Sequence, residues 1–441
     1  MLKRFLLGVA FMTTGLLAGE LFIREFENGA KLIVKPRTDT EAVALQVWFR
    51  VGSVYEKYDE KGMAHFLEHL LFHQTEKYGP GEVDRVIESL GGQINAGTSK
   101  DYTYYHVEIA HPYWRQGAEV LYQITMRPKI TKESVEKEKE IVIEEIRRAK
   151  DSPTYVLWEE FEKLVYKVSP YRFPVLGFEE TVRKFTLEKV LNFYRSYYQP
   201  KNMAFVVVGK VKPEEVERFF AETFGKEEGW PVPKVKIPTE PPQKSVRFKK
   251  LEDPRLERAY WVIGWRVPPA GSKEHHALLV LSELLCGGRI SLLYQQMKEK
   301  GLVYAVWCGD LARPRDNLFV VEATFEPKLY DEVKEKLFEL LNELYRSVTD
   351  EQVKEAVERI LGSRLFAEEK AESEAFEIGY AYTVLKDLDL YRFFDKNLRR
   401  VRKVDVLRLF ERYLLDKPYS EVLMLPQGSS RSASDHIHSS P

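Results

Sequence analysis

Two short strings constrain this chain more than any other feature. VWFRV at 47–51 and IGWRV at 263–267 each precede a polar turn and then an apolar helical run, and aligning Arg50 with Arg266 sets an offset of 266 − 50 = 216 residues. An echo at that distance predicts an internal duplication, two similar units in tandem rather than one continuous core. Between them lies KEEGWPVPKVKIPTEPPQK, residues 226–244, whose repeated prolines interrupt any helix or central strand and mark a linker. The expected domains are therefore 20–225 and 245–427. Each half alternates strands and helices. In the first, ALQVWFRVGS (44–53), TYYHVEIA (103–110) and NMAFVVVGKV (202–211) read as strands, and the charged stretch 131–150 reads as a long helix. The class is α+β.

The ends read differently. MLKRFLLGVAFMTTGLLAGE opens with Lys3 and Arg4, runs apolar from Phe5 to Ala18 and exits through small residues, the pattern of a secretory signal over 1–19. The run falls short of the roughly 18 to 20 apolar residues that span a bilayer, so no permanent membrane span is expected. The mature chain is expected in the periplasm or outside the cell. The Ser-rich end, 428–441, reads as a disordered tail, and nothing around His436 and His438 would hold a metal geometry. Lys plus Arg (67) and Asp plus Glu (68) nearly cancel, which gives no electrostatic case for a nucleic-acid partner. The two cysteines, Cys286 and Cys308, are too few for a disulfide framework and are expected to be two buried thiols, with a single bridge between them as the alternative.

GMAHFLEHLLFH, residues 62–73, places His65, Glu68 and His69 in an otherwise apolar run. Positions i, i+3 and i+4 share one face of a helix, so all three project into the same small volume. Two imidazoles there suit Zn²⁺, and a carboxylate beside them can act as a general base. Spacing alone leaves open a pair of hydrogen-bonded histidines on a polar face. A third ligand is needed, and the helix KESVEKEKEIVIEEIRRAKDSP offers Glu145, with Glu138 two turns earlier on the same face. At the duplicated positions the second half has Leu281, Leu284 and Leu285, ordinary core residues.

Read with LGGQINAGTSKDYTYYHVEI, EKEIVIEEIRR, SPYRFPVLGFEETVRKFT, YYQPKNMAFVVVGKV and GGRISLLYQQMKEKGLVYAV, the HxxEH string resembles the inverzincin metallopeptidases of the pitrilysin and insulinase family, most closely the short-chain branch that includes the mitochondrial processing peptidases. The resemblance runs from about residue 21 to residue 426. It implies two homologous αβ domains, each a mostly antiparallel sheet packed with helices, closing as a clamshell. It implies His65, His69 and Glu145 as zinc ligands, Glu68 as the base that takes the water proton, and Glu138 as the carboxylate that orients a ligand. Asn95 and Ala96 match the strand that pairs with the substrate, and Gly287, Gly288 and Arg289 match a glycine-rich loop of the second half. Tyr304 matches a tyrosine that reaches the zinc site from the second domain. Seven residues before it, where many active members carry arginine, this chain has Met297. His73 matches no family ligand and reads as a rim or core residue.

The expected activity is zinc-dependent endopeptidase cleavage of short or unfolded peptides by a dimer. The alternative is a non-catalytic or partner-dependent peptide-binding subunit of the same family, homomeric or paired with a related chain.

Overall fold

The computed structural model describes residues 20–428. The expected signal segment 1–19 and all but the first residue of the expected tail lie outside them. The described strands form two sheets. The first contains β1 (Phe22–Glu25), β2 (Lys31–Pro36), β3 (Ala42–Phe49), β4 (Gln93–Thr98), β5 (Thr103–Ala110) and β6 (Met203–Gly209), in the order β1-β2-β6-β3-β5-β4. The second contains β7 (Arg247–Asp253), β8 (Ala259–Arg266), β9 (Ala305–Asp310), β10 (Leu318–Phe325) and β11 (Ser420–Pro426), in the order β7-β11-β8-β10-β9. Without β1 the two diagrams are the same. In each, one pair is parallel, β2 with β6 and β7 with β11, and the remaining pairs are antiparallel. The echo at 216 residues is thus a repeat of topology, and the fold is α+β with two sheets and their helices.

Helices α1 (Met63–Leu71), α2 (Glu82–Ser89), α3 (Trp114–Met126) and α4 (Lys132–Lys150) cover one face of the first sheet, where Leu45, Val47, Phe49, Val107 and Phe205 meet Phe66, Leu70, Leu121 and Val142. Helix α4 has a double in Asp350–Glu368: both span 19 residues, and Thr131 and Thr349 each cap the start by accepting a backbone N–H three residues on.

The other face of each sheet is covered by a helix from the opposite half. Helix α5 (Pro153–Val165) lays Leu157, Phe161 and Val165 on Val262, Val320, Val422 and Met424 of the second sheet. The helix Ala371–Tyr380 returns the exchange, setting Ala371, Ala375 and Ile378 against Ile33, Trp48, Ala204 and Val206 of the first. Each burial of a Leu, Phe or Ile contributes on the order of 1.5–3 kcal/mol. Glycine makes both approaches close enough: a Cβ on Gly264 would sit 2.8 Å from the Phe161 ring, and one on Gly379 would sit 2.2 Å from the Trp48 indole nitrogen.

Residues 227–246 carry neither helix nor strand, yet they are held down. Glu240 is buried and its carboxylate accepts the N–H groups of Lys167, Val168 and Ser169 at 2.8–2.9 Å. Cys286 and Cys308 correct the expectation of separate thiols. The end of the helix His275–Cys286 lies beside β9, the Cα atoms are 5.9 Å apart, and the sulfurs are paired as a disulfide. Among the described residues no helix is long and apolar enough to cross a membrane.

Candidate metal centre

Helix α1 buries Met63, Ala64, Phe66, Leu67, Leu70 and Leu71. That wrap of core residues leaves His65, Glu68 and His69 on the remaining face, toward α4. The helix begins at Gly62, which has no side chain to cap it. Glu56 supplies the cap: its two carboxylate oxygens accept the N–H groups of Gly62 at 3.0 Å and Ala64 at 2.9 Å, within the interior. Lys61, also buried, donates to the carbonyls of Ser53 and Glu56. The start of the histidine helix is therefore fixed by a polar knot inside the core.

Helix α4 presents its buried stripe, Val135, Glu138, Val142 and Ile146, to the core beneath α1. One nitrogen or oxygen each from His65, His69 and Glu145 lies within 4.8 Å of the others. The Nε2 atoms of His65 and His69 stand 3.7 and 3.6 Å from the two oxygens of Glu145. Ligand atoms around a tetrahedral zinc, with bonds of roughly 2.0–2.2 Å, lie roughly 3.4 Å apart, so a His₂Glu set with these separations fits the ion.

The two rings differ in their surroundings. His69 Nδ1 meets Glu138 Oε1 at 2.8 Å, which places the ring proton on Nδ1 and leaves the Nε2 lone pair facing Glu145. Burial opposes charge on His69, but the Glu138 hydrogen bond and the charges of Glu138, Glu145 and Glu68 outweigh it and raise the ring's pKa. Burial, followed by the nearby His69 charge, lowers His65 to about 3, so that ring is neutral at neutral pH. Its Nδ1 is buried and has no protein partner. Glu138 is almost fully buried. Burial by itself would raise its carboxyl; the hydrogen bonds from His69 and His73 and their charges hold it down at about 2.

His73 is not a plain rim residue. Its Nε2 meets Glu138 Oε2 at 2.5 Å, so one carboxylate is gripped by two imidazoles a turn apart on α1 and just beyond it. The spacing 65, 69, 73 carried that signal. Glu68 points to the end of β4, where the Thr98 hydroxyl donates to its Oε2. Burial raises the Glu68 carboxyl above its ordinary value, with the Thr98 bond pulling the other way. Thr98 left no mark in the sequence, because only the packing of β4 under α1 joins it to Glu68.

Strand β4 pairs with β5 alone and is the edge of the first sheet. Ile94 and Ala96 pack toward the core beneath α1, Asn95 is exposed on the opposite face, and its Oδ1 accepts the Ala96 N–H at 2.9 Å. An open edge beside a carboxylate and two imidazoles is a place where an extended chain can lie.

The second-half residues are not joined to this group by any hydrogen bond or ion pair among the described residues. Tyr304 is exposed; its hydroxyl donates to Glu326 and the Arg258 guanidinium lies 4.0 Å from its ring centre. Gly287 closes the helix His275–Cys286, Gly288 and Arg289 are exposed, and the Arg289 carbonyl accepts from Gln295 at 2.6 Å. Met297 is 0% exposed, set in the second core with Leu281, Leu285 and Leu293 on a π-helical turn, Tyr294–Lys298. Its side chain is enclosed in that core, and the exposed cation of that segment is Lys298.

Comparison with known proteins agrees with this geometry. The chain matches the family described as Insulinase (Peptidase family M16) over residues 32–177 and the one described as Peptidase M16 inactive domain over 184–360. It is 25% identical over 413 residues to the uncharacterised zinc protease YmxG of Bacillus subtilis, spanning 92% of this chain and 98% of that one. It is 25% identical over 409 residues to the zinc protease PqqE of Helicobacter pylori, spanning 91% of each. Among solved structures, a protease from Helicobacter pylori superposes with a TM-score of 0.86 at 24% identity, covering 92% of this chain and 99% of that one. A putative M16-like peptidase from Alicyclobacillus acidocaldarius gives 0.82 at 22% identity, covering 93% and 99%. With both halves matched in order, and with relatives named zinc proteases along nearly its whole length, the chain belongs to the insulinase, or M16, peptidase family in its short two-domain form.

Proposed function

We propose that this chain is a zinc-dependent endopeptidase that hydrolyses short or unfolded peptides, acting as a dimer in the periplasm or outside the cell. The observation that carries the reading is the meeting of His65, His69 and Glu145 within 4.8 Å, the two histidines standing on the helix whose Glu68 is held by Thr98 at the end of the edge strand β4. Those three residues would hold the metal. Zinc bound there supplies Lewis acidity, making a water nucleophilic at neutral pH and polarising the scissile carbonyl.

The chain's own groups do the rest. The β4 edge offers main-chain hydrogen bonds to an extended peptide, which selects unfolded segments over folded ones. Glu68 takes the water proton on Oε1, the oxygen not committed to Thr98, and hands it to the leaving amine. Burial raises its pKa toward the working pH, which suits a group that must both accept and release a proton. Glu138, pinned by His73, keeps the His69 ring in one orientation. The apolar N-terminal run and the Cys286–Cys308 pair support an oxidising compartment, and dimerisation rests on the family resemblance.

One observation favours a second reading, a peptide-binding subunit that depends on a partner: Tyr304 is tied to Glu326 and Arg258 instead of to the metal group. A single experiment separates the two. Purified protein is incubated with unstructured peptides, with and without a chelator, alongside Glu68→Gln. Chelator-sensitive cleavage that the variant loses by at least about 100-fold, with zinc content unchanged, supports the peptidase. Peptide binding without cleavage supports the subunit.

A further inference from the structure

The second sheet has its own open edge. Strand β9 pairs only with β10, in the place that β4 occupies in the first sheet. Along it, Val306 and Cys308 turn into the core, and Trp307 turns the other way, 47% exposed. Directly across the ladder is Glu322 of β10, on the same face. From above, Trp158 of α5 donates its indole N–H to Glu322 Oε2 at 3.1 Å.

The charge balance around α5 singles Glu322 out. Glu159 pairs with Lys163, Glu160 with Lys163 and Lys249, and Glu162 with Lys100 and Arg313. No lysine or arginine among the described residues pairs with Glu322. Burial raises its carboxyl above the ordinary value and the Trp158 bond is the one contribution that lowers it. A half-buried carboxylate between two indoles, with no cation of its own, is the environment in which an ammonium or guanidinium gains both a charge-assisted hydrogen bond and an aromatic face. Trp158 lies on α5, which follows α4 and its Glu145 after only residues 151 and 152, so consecutive helices join the patch to the metal centre.

We propose that Trp158, Glu322 and Trp307 form a subsite that takes a lysine or arginine side chain of the bound peptide. This deepens the peptidase reading and rests on it for the identity of the ligand. It adds a side-chain preference to a strand-edge mode that otherwise reads only main chain.

The test uses the full chain with zinc and a set of peptides identical except for one residue, placed in turn at each position around the cleaved bond as Lys, Gln or Glu. At one position the Lys peptide is expected to exceed the Gln peptide in kcat/KM by about tenfold, with Glu lowest. Glu322→Gln should bring that ratio to near one, Trp307→Ala should reduce it, and Glu343→Gln, on the remote helix Tyr330–Ser347, should leave it unchanged. A ratio that survives Glu322→Gln, or cleavage with no Lys preference at any position, overturns the subsite and leaves the peptidase reading standing. If no peptide is cut, the peptidase reading fails, and binding of fluorescent Lys and Gln peptides decides the subsite. Tighter Lys binding that Glu322→Gln abolishes upholds it; equal Kd values overturn it.

Discussion

Glu138 accepts from two imidazoles at once, and that separates what its loss should do from what the loss of Glu145 should do. Glu145 stands with its two oxygens toward His65 and His69, so on the proposed zinc site Glu145→Gln would remove an anionic ligand and should weaken zinc affinity by more than about 100-fold. Glu138→Gln only loosens the grip on His69 and should cost roughly 10- to 100-fold. Zinc titration against a calibrated chelator measures both; a larger loss from Glu138→Gln than from Glu145→Gln would mean that the two carboxylates have been assigned the wrong way round, and equal losses would remove the distinction between them. Met297 carries a different lesson. Chain spacing sets it at the place of an arginine, and a gain of activity from Met297→Arg is what spacing invites. Its side chain is fully enclosed among Leu281, Leu285 and Leu293, so the substitution forces a guanidinium into the core and should destabilise the chain by about 3 to 5 kcal/mol. A thermal melt unchanged by Met297→Arg would contradict that burial. His65, Glu68 and His69 were legible as one group because helical periodicity fixes which side chains share a face, whereas Glu145, on another helix, was assigned through the family resemblance. Thr98, and the inward turn of Met297, depend on which neighbour packs where, and no local spacing carries that.

At the scale of elements, α1 is a nine-residue helix whose N-terminus is capped from a distance. A Ser, Thr, Asp or Asn at the first position is the ordinary solution, and Gly62 provides none. Glu56, six residues earlier, binds the N–H groups of Gly62 and Ala64 instead, and the second of these adjoins His65. Glu56→Ala leaves two buried donors unpaired and should cost about 3 kcal/mol. Because those donors lie at the start of the histidine helix, the same variant should also lose zinc affinity, which an ordinary core defect far from the site would not do. Denaturant melts of the apo and zinc-loaded forms measure the two effects, and a stability loss with zinc affinity intact would restrict Glu56 to a scaffolding role. The elements themselves were largely readable. Expected strands at 44–53, 103–110 and 202–211 appear as Ala42–Phe49, Thr103–Ala110 and Met203–Gly209, and the expected helix at 131–150 as Lys132–Lys150. The amphipathic pattern of α5 announces a buried face without saying which sheet buries it.

For the whole molecule, that exchange of α5 against the helix Ala371–Tyr380 means that neither sheet is covered by its own half alone. A charged joint locks the exchange in place. Glu162 of α5 accepts from Lys100 at 2.7 Å and from Arg313 of the second half; Arg313 also donates to the Tyr166 hydroxyl at 2.7 Å, which donates on to the Asp316 carbonyl at 2.6 Å. Asp101 completes the surroundings, accepting from Tyr171 at 2.6 Å and facing Arg315 at 3.3 Å. Burial by itself would raise the Glu162 carboxyl, but the charges of Lys100 and Arg313 outweigh it and hold its pKa below the ordinary glutamate value. A carboxyl depressed in the folded state adds stability that is fully present above its unfolded pKa of about 4.5 and is lost as pH falls through the lower folded value. Glu162→Gln keeps the shape but leaves two cations in the interior without their counter-charge, so at about pH 7 it should lower stability by roughly 3 kcal/mol or more. The gap between wild type and variant should hold above the unfolded value of about 4.5, narrow below it and close only as pH falls through the lower folded value, as the wild-type carboxyl takes up its proton and comes to resemble the amide. Melting both proteins across that range tests the joint directly. A gap that persists unchanged into acid would show that the loss came from packing and not from charge, and the link between the two halves would then rest on the apolar faces of the exchanged helices.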